Sequence, residues 1–451
     1  MPSLNAIQEL KQRFHGAILV PGDPTYDTAR KVWNGMIDRR PALIAQCSAS
    51  SDVVSCIQFA RTEGMPLSVR GGGHNYAGKA VCEGGLMIDL SHMKGIHVDP
   101  NRRVARAHTG LKLGEFDRET QRYGLVTPLG VATTTGISGL TLGGGYGWLV
   151  GKYGLSCDNV TWMEVATADG KLLECSAEHN TDLFWGMRGA GANFGVATQI
   201  EYRLHPVTTV YSGPIFYSLS ADAMRFYAEF SHGIPDEMTT FAATTTLPDG
   251  TPAFAVVVCV CGSSAEGERL VEPLRKFGVP LIDLIQPRPY LELQSLFDAD
   301  YPPGRRYYNK SHNIRYLTDS AIETVLYYAS KAPPQRPSGI GFQQLHGVAS
   351  RVSAGATAFP HRYDHDVVWI NPVQDDSSED ETNLRWTREC WEALLPNVDQ
   401  AVYVNTLEGI LEDGEQRVRQ AYGANYERLK VLKKRYDPTN LFSQNSNIRP
   451  D

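Results

Sequence analysis

The chain reads as an α+β protein with two unlike halves, and three features of its 451 residues predict this. Strand-like and helix-like segments alternate from about residue 40 to 205, as a mixed α and β domain requires. After His205-Pro206 the segments become longer and richer in β-branched and aromatic residues, the texture of an antiparallel sheet. Three glycine-rich runs, near 71–73, 136–147 and 189–195, fall only in the first half.

In chain order, Ser51 and Asp52 are expected to cap a helix that ends near Gly64. Strands are expected at 67–69, 86–90 and 104–107, and a helix over 112–123 with Leu113 and Phe116 inward. Residues 163–176, broken at Asp169-Gly170, give a hairpin signal. The second half offers strands at 239–247 and 253–261, with helices over 221–232, 265–277 and 320–331. The Pro-rich stretches 302–304 and 332–337 are its clearest loops. Helices over 379–395 and 415–435 follow, the latter stopped by Asp437-Pro438.

The formal net charge is −7 and the pI is near 6.0, which argues against a general nucleic-acid binder. No apolar run approaches a membrane span. Glu9, Lys11 and Arg13 interrupt the first twenty residues, so no signal peptide is expected, and a cytoplasmic location is. The eight cysteines form no dense framework and no Cys-x-x-Cys pair, which fits reduced thiols and no metal site. Cys259 and Cys261 would share one strand face.

Gly71, Gly72 and Gly73 follow a strand and can turn bare backbone N–H groups toward an anion. His74 comes next, so its imidazole would point at whatever that anion anchors. Taken alone, an ordinary turn with a surface histidine fits as well. The run Gly189-Ala-Gly-Ala-Asn-Phe-Gly195 has one residue too many for the dinucleotide fingerprint, and no Gly-Lys-Ser/Thr follows the second run. Nicotinamide and P-loop readings therefore weaken.

The combination of Gly71-Gly-Gly-His-Asn75, the 136–147 run and Lys152-Tyr-Gly-Leu-Ser-Cys-Asp-Asn159 resembles the flavin-linked oxidases of the berberine bridge enzyme family, within the vanillyl-alcohol-oxidase type of fold. The resemblance covers about 40–205 and 400–450 well and the middle poorly. It implies a PCMH-type FAD-binding domain of two α+β subdomains, plus an antiparallel-sheet substrate domain with helices on one face. The expected spans are 1–205 for FAD, 206–405 for substrate, and 406–451 returning to the FAD domain.

The implied cofactor is FAD, bound covalently once, as in a bacterial-type monocovalent subgroup, from a ring nitrogen of His74 to the 8α carbon. Arg70, Gly71, Gly72, Gly73 and Asn75 would surround the pyrophosphate. Gly136, Gly139, Gly143, Gly144, Tyr146, Gly147, Val196, Tyr422, Asn425, Asn445 and Asn447 would hold the rest. The cysteine that makes a second bond in many members is replaced here by Ala132, and Cys157 is expected to be a packing thiol.

The resemblance further implies an oxidase that passes hydride from a C–H beside an alcohol or amine to the flavin, with dioxygen reoxidising it to yield hydrogen peroxide. A dehydrogenase, an oxygenase of secondary metabolism and a non-catalytic flavin-binding protein are the alternatives. Tyr422, in Tyr422-Gly-Ala-Asn425, matches the family's base, although a phenol near pKa 10 would need a cation or strong donor beside it. Tyr403 and Asn405 would face one side of a strand, lining the pocket or a solvated face. Trp369 and Asn371 would share the substrate face of another strand, with Phe359–Arg362 in the same sheet. Tyr146 and Trp148 would wall the flavin edge or fill core. Tyr307, Tyr308, Tyr316 and Trp369 lean toward a flat or ring-shaped substrate, with sugars, phenols, amines and polyketide alcohols all open. A small-molecule substrate and dioxygen are the expected partners, with neither nucleic acid nor membrane among them.

Overall fold

The computed structural model describes residues 2–407 and 410–450. Met1, Glu408, Gly409 and Asp451, within the expected outer segments, lie outside the described residues. The first half holds two sheets. A four-stranded sheet runs Ala17–Leu19, Leu43–Gln46, Leu86–Asp89, Leu67–Arg70; its first pair is antiparallel and the others are parallel. The parallel strands are buried nearly throughout and read as short apolar runs. The helix Ser50–Glu63 packs Val53, Ile57 and Ala60 against them. It stops at Gly64, whose φ of +63° a residue with a side chain would resist.

A five-stranded antiparallel sheet follows, ordered Ile96–Asp99, Val104–His108, Val196–Arg203, Val160–Ala166, Leu172–Ser176. The expected hairpin is the pair 160–166 and 172–176. The helix Leu113–Gln121 buries Leu113 and Phe116 as its spacing requires.

The second half is one eight-stranded sheet whose central order is Thr209–Ser218, Pro252–Val260, Met238–Thr246, Gly339–Leu345, His365–Asn371, Lys310–Ile314. All of these pairings are antiparallel. Strand alternation sorts its faces. Ile215, Val256, Ala242, Phe342 and Val368 point to a layer of helices, Ala221–His232, Ser264–Lys276, Asp319–Ala329 and Asp380–Leu394. Ser220, Ser263 and Thr318 cap the first three by accepting N–H bonds three residues on. The opposite face looks toward the first half.

Near its end the chain comes back to the first half. The 415–435 segment, read as one helix, is two, Ile410–Tyr422 and Tyr426–Tyr436, separated by a short 3₁₀ turn. Tyr422, Tyr426 and Leu429 share a core with Trp185, Met187 and Phe194. Tyr403 and Asn405 lie around a 3₁₀ turn, not on a strand. Phe359–Arg362 also leaves the sheet and forms a loop.

A buried ion pair fixes this return. Lys433 Nζ donates to Asp437 Oδ2 at 2.7 Å, Asn193 O at 3.0 Å and Phe442 O at 2.9 Å. Both partners have fully buried side chains. Lys433→Met would leave the Asp437 carboxylate buried without its cation, so urea denaturation should show a loss of about 3–5 kcal/mol. Adding Asp437→Asn to that variant should recover part of it.

Candidate active site

All three glycine runs reach one cavity of about 590 Å³, and the eight-stranded sheet forms its far wall. The first two runs touch each other through their backbones. A Cβ on Gly72 would fall 2.2 Å from Gly136 N, and one on Gly136 would fall 2.3 Å from Gly72 N. Gly71 presses on Ser138 Oγ and Thr109 O. At Gly71, Gly72 and Gly136 glycine is needed because the chains leave no room, and Gly73, at φ +68°, needs it for conformation.

Gly139 differs. A Cβ there would meet nothing within 4 Å, yet the residue lines the cavity. The space is free of protein and next to the backbone, the form a cofactor cradle takes. Gly189, Ala190, Ala192, Gly195 and Val196 supply the third side, and Asn445 and Ser446 the fourth. Asn445 Nδ2 donates to Ala192 O at 2.6 Å, while its Oδ1 has no partner within the protein. A glycine-lined cleft with bare backbone N–H groups for phosphates, and an amide oxygen open to an N–H or O–H donor, fits an extended cofactor that carries both.

His74 stands on this cavity. Its ring stacks on Trp33, centroids 4.1 Å apart, and Nε2 meets Thr134 Oγ1 at 3.0 Å. Trp33 is in turn stacked on Tyr307 at 3.7 Å, so the imidazole orientation is set by a three-ring pile. Desolvation, with a smaller contribution from Lys112, pushes its pKa down to about 3. The ring is neutral, and one of its two nitrogens keeps a lone pair, at any physiological pH. Lys79, five residues on, ties this loop to the returning chain through Leu407 O at 2.8 Å and Ser446 Oγ at 3.0 Å.

Several residues expected at the cofactor do other work. Arg70 pairs with buried Asp89 at 2.5 Å and donates to Ala29 O and Lys31 O, turned away from the cavity. Asn425 Nδ2 donates to Ala354 O, Thr357 O and Ala358 O, holding a loop. Asn447 is buried but off the wall. Gly144 packs on the Phe359 ring and Gly147 on Leu129 O, so both shape the second run from behind. Trp148 stacks on Phe297 as core. Tyr307 belongs to the His74 pile, Tyr308 is buried and Tyr316 is 43% exposed, which leaves Trp369 alone of those four on the cavity. Gly71, Gly72, Gly73, Asn75, Gly136, Gly139, Gly143, Tyr146, Val196, Asn445, Trp369 and Asn371 all line it as expected.

The expected catalytic trio, Tyr422, Tyr403 and Asn405, lines the cavity. Tyr422 lines the cavity, but its hydroxyl is buried, accepts from Asn193 Nδ2 at 3.3 Å, and has no cation beside it. Burial pushes its pKa up, so it rests as a neutral phenol. Tyr403 Oη accepts from Gly145 N at 3.1 Å and from Asn405 Nδ2 at 2.8 Å, and Asn405 also holds Leu140 O. The two clamp the second glycine run. Gly143 must be glycine because Asn405 Oδ1 lies 2.1 Å from where its Cβ would stand.

One pair was missed. Tyr146 Oη meets His365 Nε2 at 3.1 Å, and His365 Nδ1 meets Tyr363 O at 2.6 Å. The carbonyl can only accept, so Nδ1 carries the proton, Nε2 is the acceptor and the phenol donates to it. Burial lowers the His365 pKa to about 4 and raises that of Tyr146. A histidine opening a strand carries no distinguishing pattern, so only the tertiary fold reveals this pair.

The Lys152–Asn159 motif proves architectural. Asp158 caps Leu155 N at 2.9 Å and binds the buried Arg362 guanidinium at 2.7 Å. Asn159 holds Tyr153 O and Leu155 O. Cys157 is fully buried, off the cavity, and pushed up to about 12 by desolvation. Ala132 occupies the cavity wall instead. Among the described residues no acidic, histidine and cysteine cluster could hold a metal, and no helix is long and apolar enough to cross a membrane.

Comparison with known proteins agrees with this geometry. A family model described as FAD binding domain matches residues 41–176, and one described as berberine and berberine like matches 402–449. An FAD-linked oxidoreductase of Dictyostelium discoideum is 30% identical over 98% of this chain and 97% of its own length. The (R)-6-hydroxynicotine oxidase of Paenarthrobacter nicotinovorans is 29% identical, covering 97% of each chain. The crystal structure of 6-hydroxy-D-nicotine oxidase from Arthrobacter nicotinovorans superposes with a TM-score of 0.87 at 28% identity, over 97% of this chain and 98% of that one.

Gly139→Val tests the cradle directly. The variant should fold with an unchanged circular dichroism spectrum, because the added atoms meet open space. It should purify with little or no flavin.

Proposed function

The chain belongs to the berberine-like family of FAD-linked oxidoreductases, and we propose that it is an oxidase holding FAD by one covalent bond through His74. The carrying observation is that His74, the glycine runs and the substrate sheet all open on one cavity. Bound FAD supplies a two-electron acceptor that takes hydride from a substrate C–H and returns the electron pair to dioxygen as hydrogen peroxide.

The chain's own residues do the rest. The neutral imidazole of His74 has the nucleophilic lone pair that attachment at the flavin methyl requires. With Ala132 facing the cavity and Cys157 buried behind it, no thiol is placed for a second bond. The sheet face positions the substrate so that its C–H, beside an alcohol oxygen or an amine nitrogen, points to the cofactor. For an O–H or N–H that must lose its proton, Tyr146 Oη receives that proton while its own passes to His365 Nε2. Because His365 is a weak base, this transfer must accompany hydride departure. Two relatives are named as oxidases of 6-hydroxynicotine, and both an amine and an alcohol donor fit this arrangement.

An anaerobic screen of alcohol and amine donors for bleaching of the flavin absorbance, followed by peroxide assay in air, tests the reading. One peroxide per donor oxidised is expected. Dye reduction without peroxide would make the protein a dehydrogenase, and labelled oxygen in the product an oxygenase. Tyr146→Phe should slow flavin reduction about 10²–10⁴-fold with little change in donor affinity. In the wild type that rate should be level from about pH 5.5 upward and fall as His365 becomes protonated, near its pKa of about 4. Tyr146→Phe should lose that acid limb.

A further inference from the structure

We infer that the substrate is a flat, apolar fused-ring compound that bears a phenol-type hydroxyl on one edge in addition to the alcohol or amine group whose C–H is oxidised, laid on a trough of small residues in the eight-stranded sheet. This rests on reading the cavity as the substrate site of a flavin enzyme and specifies that reading. Five adjacent strands each give one residue to a row across the cavity face. Phe216 is paired with Ala255, Ala255 with Ala243, Ala243 with Gly341, and Gly341 with Trp369. All five line the cavity. The ends of the row are large rings, and its middle three positions carry a methyl group or nothing.

Adjacent strands lie about 4.8 Å apart, so the bare stretch is about 10 Å across between its outer strands. Gly341 is not demanded by the fold. It has no positive φ, and a Cβ there would come no closer than 3.6 Å to any neighbour. Glycine inside a strand weakens it, and where no neighbour requires one it marks a close approach by something else. The trough floor is therefore open to a ligand's face.

The floor selects the chemistry. Its backbone groups are used in the ladder and its side chains are methyls. A polyhydroxylated ring lying on the three small positions would bury hydroxyls with nothing to bond directly beneath them, since the nearest polar side chains of that face, Gln343 and Thr245, stand two residues along their strands, whereas an aromatic plate would lose nothing. One end, Phe216 with Pro214 two residues before it on the same face, is wholly apolar. At the other, Trp369 Nε1 and Asn371 Oδ1 have no partner within the protein. Asn371 is only 7% exposed, and its amide engages Tyr301. One unpaired donor and one unpaired acceptor match an edge that both accepts and donates, as an aromatic hydroxyl does. Trp369 packs on the cluster of Tyr146 and Tyr403, so this edge lies toward the Tyr146–His365 pair.

Titration of the purified protein, anaerobically, with 2-naphthol, phenol and cellobiose tests the trough without turnover, by the visible flavin spectrum and tryptophan fluorescence. Saturable 2-naphthol binding is expected, about tenfold or more tighter than phenol, with none for cellobiose. Gly341→Leu should weaken 2-naphthol about tenfold while leaving flavin content, circular dichroism and phenol binding nearly unchanged. Ala243→Leu should act in the same way. The proposal is overturned by an absence of 2-naphthol binding, by tighter binding of cellobiose, or by unchanged 2-naphthol affinity in both folded variants. A protein that never carries flavin would overturn the oxidase reading instead, and tryptophan-monitored 2-naphthol binding to the two variants would still decide the trough.

Discussion

The contact between Gly72 and Gly136 is the constraint on which the active site depends. Two loops from different parts of the first domain meet at backbone distance, and any side chain at either position would drive them apart. From that contact His74 is carried into the cavity on one side and the Ile137–Leu142 turn on the other. The clamp of Tyr403 and Asn405 then fixes where the second run ends. Close approach of bare backbone is costly in conformational entropy, and much of the returning C-terminal chain is spent holding it in place.

The C-terminal return explains why a segment far from the glycine runs belongs to the same site. Lys433 reaches Asn193 beside the third run, Asn193 in turn holds the Tyr422 hydroxyl, and Lys79 reaches Ser446. These are bonds between chain stretches hundreds of residues apart. The cavity is thus closed by tertiary contacts, while its shape is dictated by glycines.

Legibility in the sequence followed the range of the forces involved. Helices with Ser or Thr caps and regular apolar spacing, such as Ala221–His232, were readable because caps and periodicity are local. The glycine runs and His74 were readable because close backbone approach restricts residue choice. Arg70 and Asn425 were misread because a polar side chain beside a cofactor motif can turn either way, and here buried Asp89 and three loop carbonyls attract them. Tyr403 and Asn405 alternate like a strand, but the two-residue spacing serves a 3₁₀ turn instead. His365 left no trace because its role arises only where Tyr146 meets it. Gly341 carries no signal in the sequence, because its place mid-row between Ala243 and Trp369 is set by strand register alone.

The most direct measurement of the central claim is peptide mapping of acid-denatured, protease-digested protein by mass spectrometry with detection at flavin wavelengths. The account predicts one flavin-bearing peptide, its added mass on the residue at position 74 and none on Cys157. Flavin released entirely into the acid supernatant, or carried on a cysteine peptide, would contradict it.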